Sequence, residues 1–294
     1  SKFRLKAKPG ASLEITSNGE KQMSTSVDTA FIRQFESDVH VAYQRMGTKL
    51  RNTIRRKVAV KGEDVRFQKY GKGSAATKSR HGDVPLMNVT HTNVDCPMSD
   101  YYAGEYIDDL DELKTNIDER GLAAQAGAGA LGRKTDELIT IAMDTATQTI
   151  AHGSTGMTKA KIHSAYETLG NNDVPDDGNR FFPVSHAAWT DLMDITEFAS
   201  ADYVGTDGLP YQGGMTAKRW HGFLFFPFSG LDVATNIRKC FAYHTSAIGH
   251  GIGKDVSQDM TWDGRKQAYL TVNKMSQGSC LIDAKQSICW QRET

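Results

Sequence analysis

No stretch of this chain approaches the roughly 20 apolar residues that a helix needs to cross a bilayer. The most apolar run, residues 223–228, is only Phe-Leu-Phe-Phe-Pro-Phe. The first residues, Ser-Lys-Phe-Arg-Leu-Lys, are charged and lead into no apolar signal core. The expectation is a soluble protein made in a cytoplasm, with no membrane partner. Cysteine is sparse, and Cys96, Cys240, Cys280 and Cys289 show no CxxC spacing. They read as free thiols in a reducing compartment. A global charge excess is also missing: 35 Lys+Arg face 35 Asp+Glu, and the pI is about 7.1. That balance argues against a dedicated nucleic-acid binder while leaving room for a local basic patch. Hydrophobic content of 39% and charged content of 24% exclude a wholly disordered chain.

Catalytic signatures are missing too. The nine histidines form no HExxH and no His/Cys set at zinc spacing, and there is no GxSxG elbow. Residues 173–179 offer oxygen ligands but neither the EF-hand order nor its closing Glu, so they read as a turn. Gly127-Ala-Gly-Ala-Leu-Gly132 matches GxGxxG by letter. A dinucleotide site requires a hydrophobic strand immediately before it, and residues 118–126 are acidic and helical instead. As a P-loop the segment fails by one residue, with Arg133 at the Lys position and Lys134 at the Ser/Thr position. No catalytic residue, metal ligand or cofactor is assigned, and the expectation is a protein that is not an enzyme.

What the chain does contain is a reversal of charge. Residues 49–80 carry eleven bases against Glu63 and Asp64, and residues 95–119 carry nine acids against Lys114. Opposite blocks on one neutral chain suit a surface that mates with other copies of itself. The alternative is two ordinary solvated faces. Phe67, Lys69, Tyr70 and Lys72 interleave base and aromatic as single-strand binders do. Their alternation as a strand face, and the acids that follow, count against that reading.

Residues 1–25 are polar and aperiodic, an extended arm. Apolar residues then recur every three or four positions, from Val27, Phe31, Phe35 and Val39 through Ala42 and Met46 to Leu50 and Ile54. This predicts an amphipathic helix with Asp28 as N-cap. The basic block switches to period two. Val58 and Val60, then Val65 and Phe67, predict strand, Gly62 turn, strand, and residues 51–99 read as a long two-stranded ribbon with a polar tip at 71–82. Strand-like residues return at 84–94 and 101–107. Thr115 and Asp118 have capping-box spacing, with helical composition following to about Ile150. Gly121, Gly127, Gly129 and Gly132 make its first half closely packed or hinged, because each costs about 1 kcal/mol against Ala. A shorter helix is expected over 159–169, ending at Gly170. A buried strand at 180–184, Ser185 as cap of a helix over 188–198, a strand at 222–228 and a β-rich end at 269–290 complete the reading.

This order of arm, helix, basic hairpin, acidic junction and long Ala/Gly-containing helix resembles the major capsid protein of tailed bacteriophages, the Hong Kong 97 (HK97) fold. Arg180-Phe-Phe-Pro-Val-Ser-His-Ala-Ala-Trp resembles the strand, Pro, cap and helix of that family's axial A-domain. Residues 213–226 resemble its next strand, and 240–250 the strand returning toward the P-domain. The resemblance implies an α+β fold with an N-terminal arm over 1–50 and an E-loop over 51–99. It places a P-domain with its spine helix at 100–172, an A-domain at 173–250 and a β-rich return at 251–294. It implies a structural protein of the virion, assembled in a host bacterial cytoplasm as pentamers and hexamers enclosing double-stranded DNA. The implied partners are copies of itself, portal and scaffolding proteins, a decoration protein, and packaged DNA by non-specific contact. E-loop bases Arg55, Arg56, Lys57, Lys61, Arg66 and Lys69 would meet Asp108, Asp109, Asp111 and Glu112 of an adjacent subunit. Gly121, Gly127, Gly129 and Gly132 would be a hinge for shell expansion. An encapsulin-like compartment and a nucleotide-dependent α/β enzyme using Gly127–Gly132 are the alternatives.

Overall fold

Strands from both ends of the chain pair into two sheets, with one long helix laid on the first and short helices on the second. The computed structural model describes residues 44–112, 114, 118–151, 153, 155–200, 217–234 and 237–293. Its elements are β1 (Arg55–Val58), β2 (Asp64–Tyr70), β3 (His91–Pro97), β4 (Ser99–Asp108), α1 (Asp109–Glu112) and α2 (Glu119–Asp144). After these come β5 (Gln148–Ile150), α3 (Lys159–Asn171), β6 (Arg180–Val184), α4 (His186–Met193), α5 (Thr196–Ala199), β7 (Lys218–Trp220) and β8 (Phe223–Pro227). The chain ends through β9 (Val233–Ala234), β10 (Ile237–His244), β11 (Ile248–Asp263), β12 (Ala268–Leu281) and β13 (Ser287–Glu293).

The first sheet runs β1-β11-β12-β4 and carries α2 across it; the second runs β5-β13-β10-β6-β8-β7, with β9 paired to β10. β2 and β3 form a separate antiparallel hairpin. The second sheet holds the main core. On β6 and β8, Phe182, Val184, Phe223 and Phe225 are fully buried. Trp189 and Leu192 from α4 and Ile162, Ala165 and Leu169 from α3 join the same cluster. Ser185 caps α4 by accepting the Ala188 N–H at 3.1 Å, as its sequence position predicts.

Several expected boundaries move. The helix expected over 27–54 lies outside the described residues up to 43. From Gln44 the chain is irregular, with one 3₁₀ turn at Arg51–Thr53. Gly47 takes a left-handed φ of 72°, which a helix cannot accommodate. The strand–Gly62–strand hairpin is corrected as well: β1 pairs in parallel with β11, while β2 pairs with β3. Residues 71–90 contain no strand, so the ribbon is shorter than 51–99. Helix α2 begins at Glu119 with Asp118 itself as N-cap, accepting the Gly121 N–H at 3.0 Å, and it stops at Asp144. Helix α3 runs through Gly170, and Asp173, at φ 58°, makes the left-handed turn instead. The single helix expected over 188–198 is two helices, broken at Asp194.

Polar groups hold the long helix to its neighbours. Asp136, fully buried, accepts the backbone N–H of Leu50 at 3.1 Å and of Lys49 at 3.2 Å, and faces the Arg45 guanidinium at 3.6 Å. Burial pushes its carboxyl up, opposed by those two N–H groups and by the charges of Arg45 and Lys49. Arg133 donates to the side chain of Gln44 at 2.8 Å and to the carbonyl of Arg45 at 3.2 Å. On the opposite face Asn273 of β12 donates to the Ala124 carbonyl at 3.3 Å, and Thr135 donates to Gln277 Oε1 at 2.8 Å.

Two outcomes follow. Asp136→Ala leaves the N–H groups of Lys49 and Leu50 and a nearby Arg without their acceptor. It should lower stability by about 3 kcal/mol in urea denaturation, with Asp136→Asn losing less. His250 is fully buried on β11, with Nδ1 at 2.8 Å from Ser279 Oγ. Burial, and then the Arg51 charge, depress its pKa from 6.5 to about 4. Its unfolded imidazole therefore takes up a proton before the folded one does, so stability is full above pH 6.5 and falls between there and pH 4. The loss should reach about 3 kcal/mol. Replacing His250 with Gln should flatten that limb in thermal melts recorded across this range.

Candidate functional site

The bases of β1 and the acids that follow Tyr106 sit on opposite margins of the first sheet. Strand β1 is one edge, exposed along its whole length, and displays Arg55, Arg56 and Lys57. These three, with Arg66, Phe67 and Gln68 of the hairpin, line a groove of about 440 Å³. The Arg55 guanidinium lies 5.7 Å from the Phe67 ring centroid, and Arg56 donates to Asn52 at 3.1 Å. No carboxylate of the described residues pairs with Arg55, Arg56, Lys57 or Lys61. An edge strand of exposed bases resists backbone pairing with another sheet, because mating would bury unpaired charge.

The acids lie at the other edge and the other end. Asp108 closes β4, and Asp109 and Asp111 follow in α1. β4 pairs with β12 so that Asp108 stands opposite Ala268, which in turn stands opposite Asp263 of β11. β1 pairs with β11 at Gly249–Ile252 instead. Asp263 stands eleven positions beyond Ile252 on β11, roughly 35 Å of strand. Within one chain the bases of β1 and the acids at Asp108–Asp111 are therefore apart in both directions of the sheet. At the acidic end Asp108 accepts the Leu110 N–H at 2.9 Å and Asp111 pairs with Lys114 at 2.9 Å. The Glu112 side chain lies outside the described residues.

Two of the expected contact bases have partners in their own chain. Arg66 forms a two-pronged bridge to Asp95, its cross-strand neighbour, at 2.6 and 3.2 Å. That pairing raises the guanidinium pKa and lowers the carboxyl's. Lys69 meets Asp283 at 3.0 Å. The sequence offered Asp95 as an acid of the second block, and the register of β2 with β3 is what brings it to Arg66.

The hairpin base is docked by glycines. Gly249, Gly251 and Gly253 alternate on β11 and share one face. A Cβ at Gly249 would lie 2.6 Å from the Phe67 ring, and one at Gly251 the same distance from Val65. Val65, Phe67, Cys96 and Ile282 form a small separate core, with Val60, Met98 and Cys280 packed against it. Close backbone approach is what this triple alternation encodes.

The four helix glycines are packing sites in an unbroken helix. A Cβ at Gly127 would overlap Asn273, one at Gly129 would lie 2.8 Å from the Met46 sulfur, and one at Gly132 would lie 3.0 Å from the Gly47 backbone. At Gly121 it would press on the capping Asp118 carboxylate at 2.5 Å. These surroundings are those of closely packed glycines. The structure also removes the nucleotide site, since Gly127–Gly132 are inside α2 rather than at a strand-to-helix turn.

A family model described as phage capsid protein matches residues 27–289. The chain belongs to that family. No curated protein matches it. Solved structures share its fold: that of Mycobacterium phage Che8 is 18% identical, with 88% of this chain and 97% of that one aligned at a TM-score of 0.71. The capsid of Cyanophage P-SCSP1u is 16% identical, with 93% and 96% aligned at 0.73. The capsid of Ralstonia phage GP4 is 11% identical, with 97% and 98% aligned at 0.66. This phage capsid protein is thus a structural, non-enzymatic subunit of a virion shell with the HK97-like fold. In this capsid protein β2 and β3 fall within the residues expected as an E-loop, and α2 within those expected to hold a spine helix. The glycine face makes a direct prediction: Gly249→Leu displaces Phe67 and frees the hairpin base. Limited proteolysis should then cut within residues 64–97 several-fold faster while the rest of the chain stays resistant.

Proposed function

We propose that the protein is the major shell subunit of a tailed phage, closing as pentamers and hexamers into an icosahedral shell around double-stranded DNA. The observation that carries the assembly mode is the placement of bases with no carboxylate partner among the described residues on one sheet edge, and of acids at the far end of the other. A surface of this kind is complementary to a second copy but not to itself, and it joins head to tail, the geometry that closes rings. Arg55, Arg56, Lys57 and Lys61 of one copy meet Asp108, Asp109, Asp111 and Glu112 of the next. Arg66 and Lys69, already paired within the chain, serve mainly to hold the hairpin. Each exposed pair contributes little against water and salt. Repetition around the shell and the fixing of register give the set its effect.

The same reading supplies further partners. A portal and a scaffolding protein guide assembly in the host cytoplasm, a decoration protein covers the outer face, and packaged DNA meets the inner face without sequence preference. Expansion of the shell moves the long helix as a rigid bar, because its glycines are filled by neighbouring atoms.

Reversing the edge tests the contact. Arg55→Glu with Lys57→Glu should leave the circular-dichroism spectrum unchanged and cut the yield of closed particles in negative stain at least tenfold. Adding Asp108→Lys and Asp109→Lys should restore part of that yield. Normal particles with reduced DNA content would instead place these bases against the genome.

A further inference from the structure

Two thiols from distant parts of the chain meet where the hairpin crosses the first sheet. Cys96 lies near the end of β3, opposite Val65, and is fully buried. Cys280 lies near the end of β12, opposite Gly249, and is half-buried. The strands that carry them belong to different sheets, and their closeness is forced by the backbone. A Cβ at Gly278 would overlap the carbonyl of Pro97, so β12 passes directly under the residue after Cys96. Cys280, two positions beyond Gly278, points to the same face. Cys280 packs against the small core that contains Cys96, and both thiols are unbridged.

We propose that Cys96 and Cys280 are a disulfide-forming pair that locks the hairpin base to the sheet once the protein leaves a reducing environment. The step needs an oxidant, and a small disulfide such as oxidised glutathione suffices. Cys280, the more accessible sulfur, displaces one glutathione thiolate and forms a mixed disulfide. The Cys96 thiolate attacks the Cys280 sulfur, displaces the second glutathione thiolate and closes the bridge. Two cysteine thiols lose two electrons and two protons, and two molecules of reduced glutathione carry them away.

The surroundings suit these roles. The Cys280 thiol and the Gly251 N–H both donate toward Cys96 and lower its pKa, which favours the resolving thiolate. Hydrogen bonding to Cys96 and then burial push the Cys280 thiol up, so the first exchange quickens as pH rises. Neighbouring side chains Val65, Phe67 and Ile282 are apolar and hold the sulfurs together without competing for them. The bridge would join residues far apart in sequence, where a crosslink restricts the unfolded chain most. This inference stands apart from the edge contact: the lock lies within one chain whatever the hairpin touches.

The test uses the full chain exposed to oxidised glutathione at mildly alkaline pH, after which free thiols are alkylated and the unreduced protein is digested. Mass spectrometry should recover one peptide pair joined through Cys96 and Cys280. The oxidised protein should also melt several degrees above the reduced one, a gain that Cys280→Ser abolishes. The linked pair is read from the unmutated chain, so the result does not depend on the variant folding. Recovery of both cysteines in alkylated peptides, or only in bridges between chains, overturns the proposal.

Discussion

A buried carboxylate on the long helix fixes the course of everything that enters the first sheet. Asp136 accepts two consecutive backbone N–H groups, of Lys49 and Leu50, and faces Arg45. A carboxylate without such donors would be expelled or neutralised on burial. The constraint works in both directions. It holds residues 45–50 across the helix at the height where Gly129 and Gly132 leave room, and it aims the following residues at the free edge of β11. From there the chain lays down β1 and then rises into the hairpin. A shift of this crossing would move the basic edge and the hairpin base together.

The sheet then decides where the charged residues of the chain lie. Its strand order puts β1 and β4 on opposite edges, and its length puts Asp108 far from Arg55 along the strands. A neutral chain becomes a polar tile, basic at one margin and acidic at the other. Such a tile gains from neighbours of its own kind and from repetition more than from any single pair. The hairpin adds a second layer, anchored by Phe67 and Val65 over glycines and by Lys69 on Asp283.

Much of this was legible where the signal is local. Period-two patterning found β2, short apolar segments at 180–184 and 222–228 gave β6 and β8, Ser185 announced its cap, and the long helix followed from composition. Features that depend on distant partners were not. The parallel pairing of β1 with β11 joins residues almost two hundred positions apart, and no adjacent pattern distinguishes it from a hairpin arm. The continuation of apolar spacing into Met46, Leu50 and Ile54 looked helical. In the structure Leu50 and Ile54 are buried beneath an irregular crossing, because Asp136 supplies hydrogen bonds that a helix would otherwise provide. Glycines carried the greatest ambiguity: Gly127–Gly132 resembled a phosphate loop, and Gly249–Gly253 alternate along a strand. Both mark places where another segment comes too close for a side chain. The charge reversal was plain in the sequence, but only the sheet order and the β2–β3 register show that Arg66 meets Asp95 within the chain while Arg55–Lys57 and Asp108–Asp111 lie apart.

The most direct measurement is a cryo-electron microscopy reconstruction of the assembled particle at side-chain resolution. The account predicts that Arg55, Arg56 and Lys57 of each subunit lie in ion-pair contact with carboxylates from the 108–112 segment of an adjacent subunit. Finding those bases in solvent, or against the genome with no neighbouring carboxylate, would contradict it.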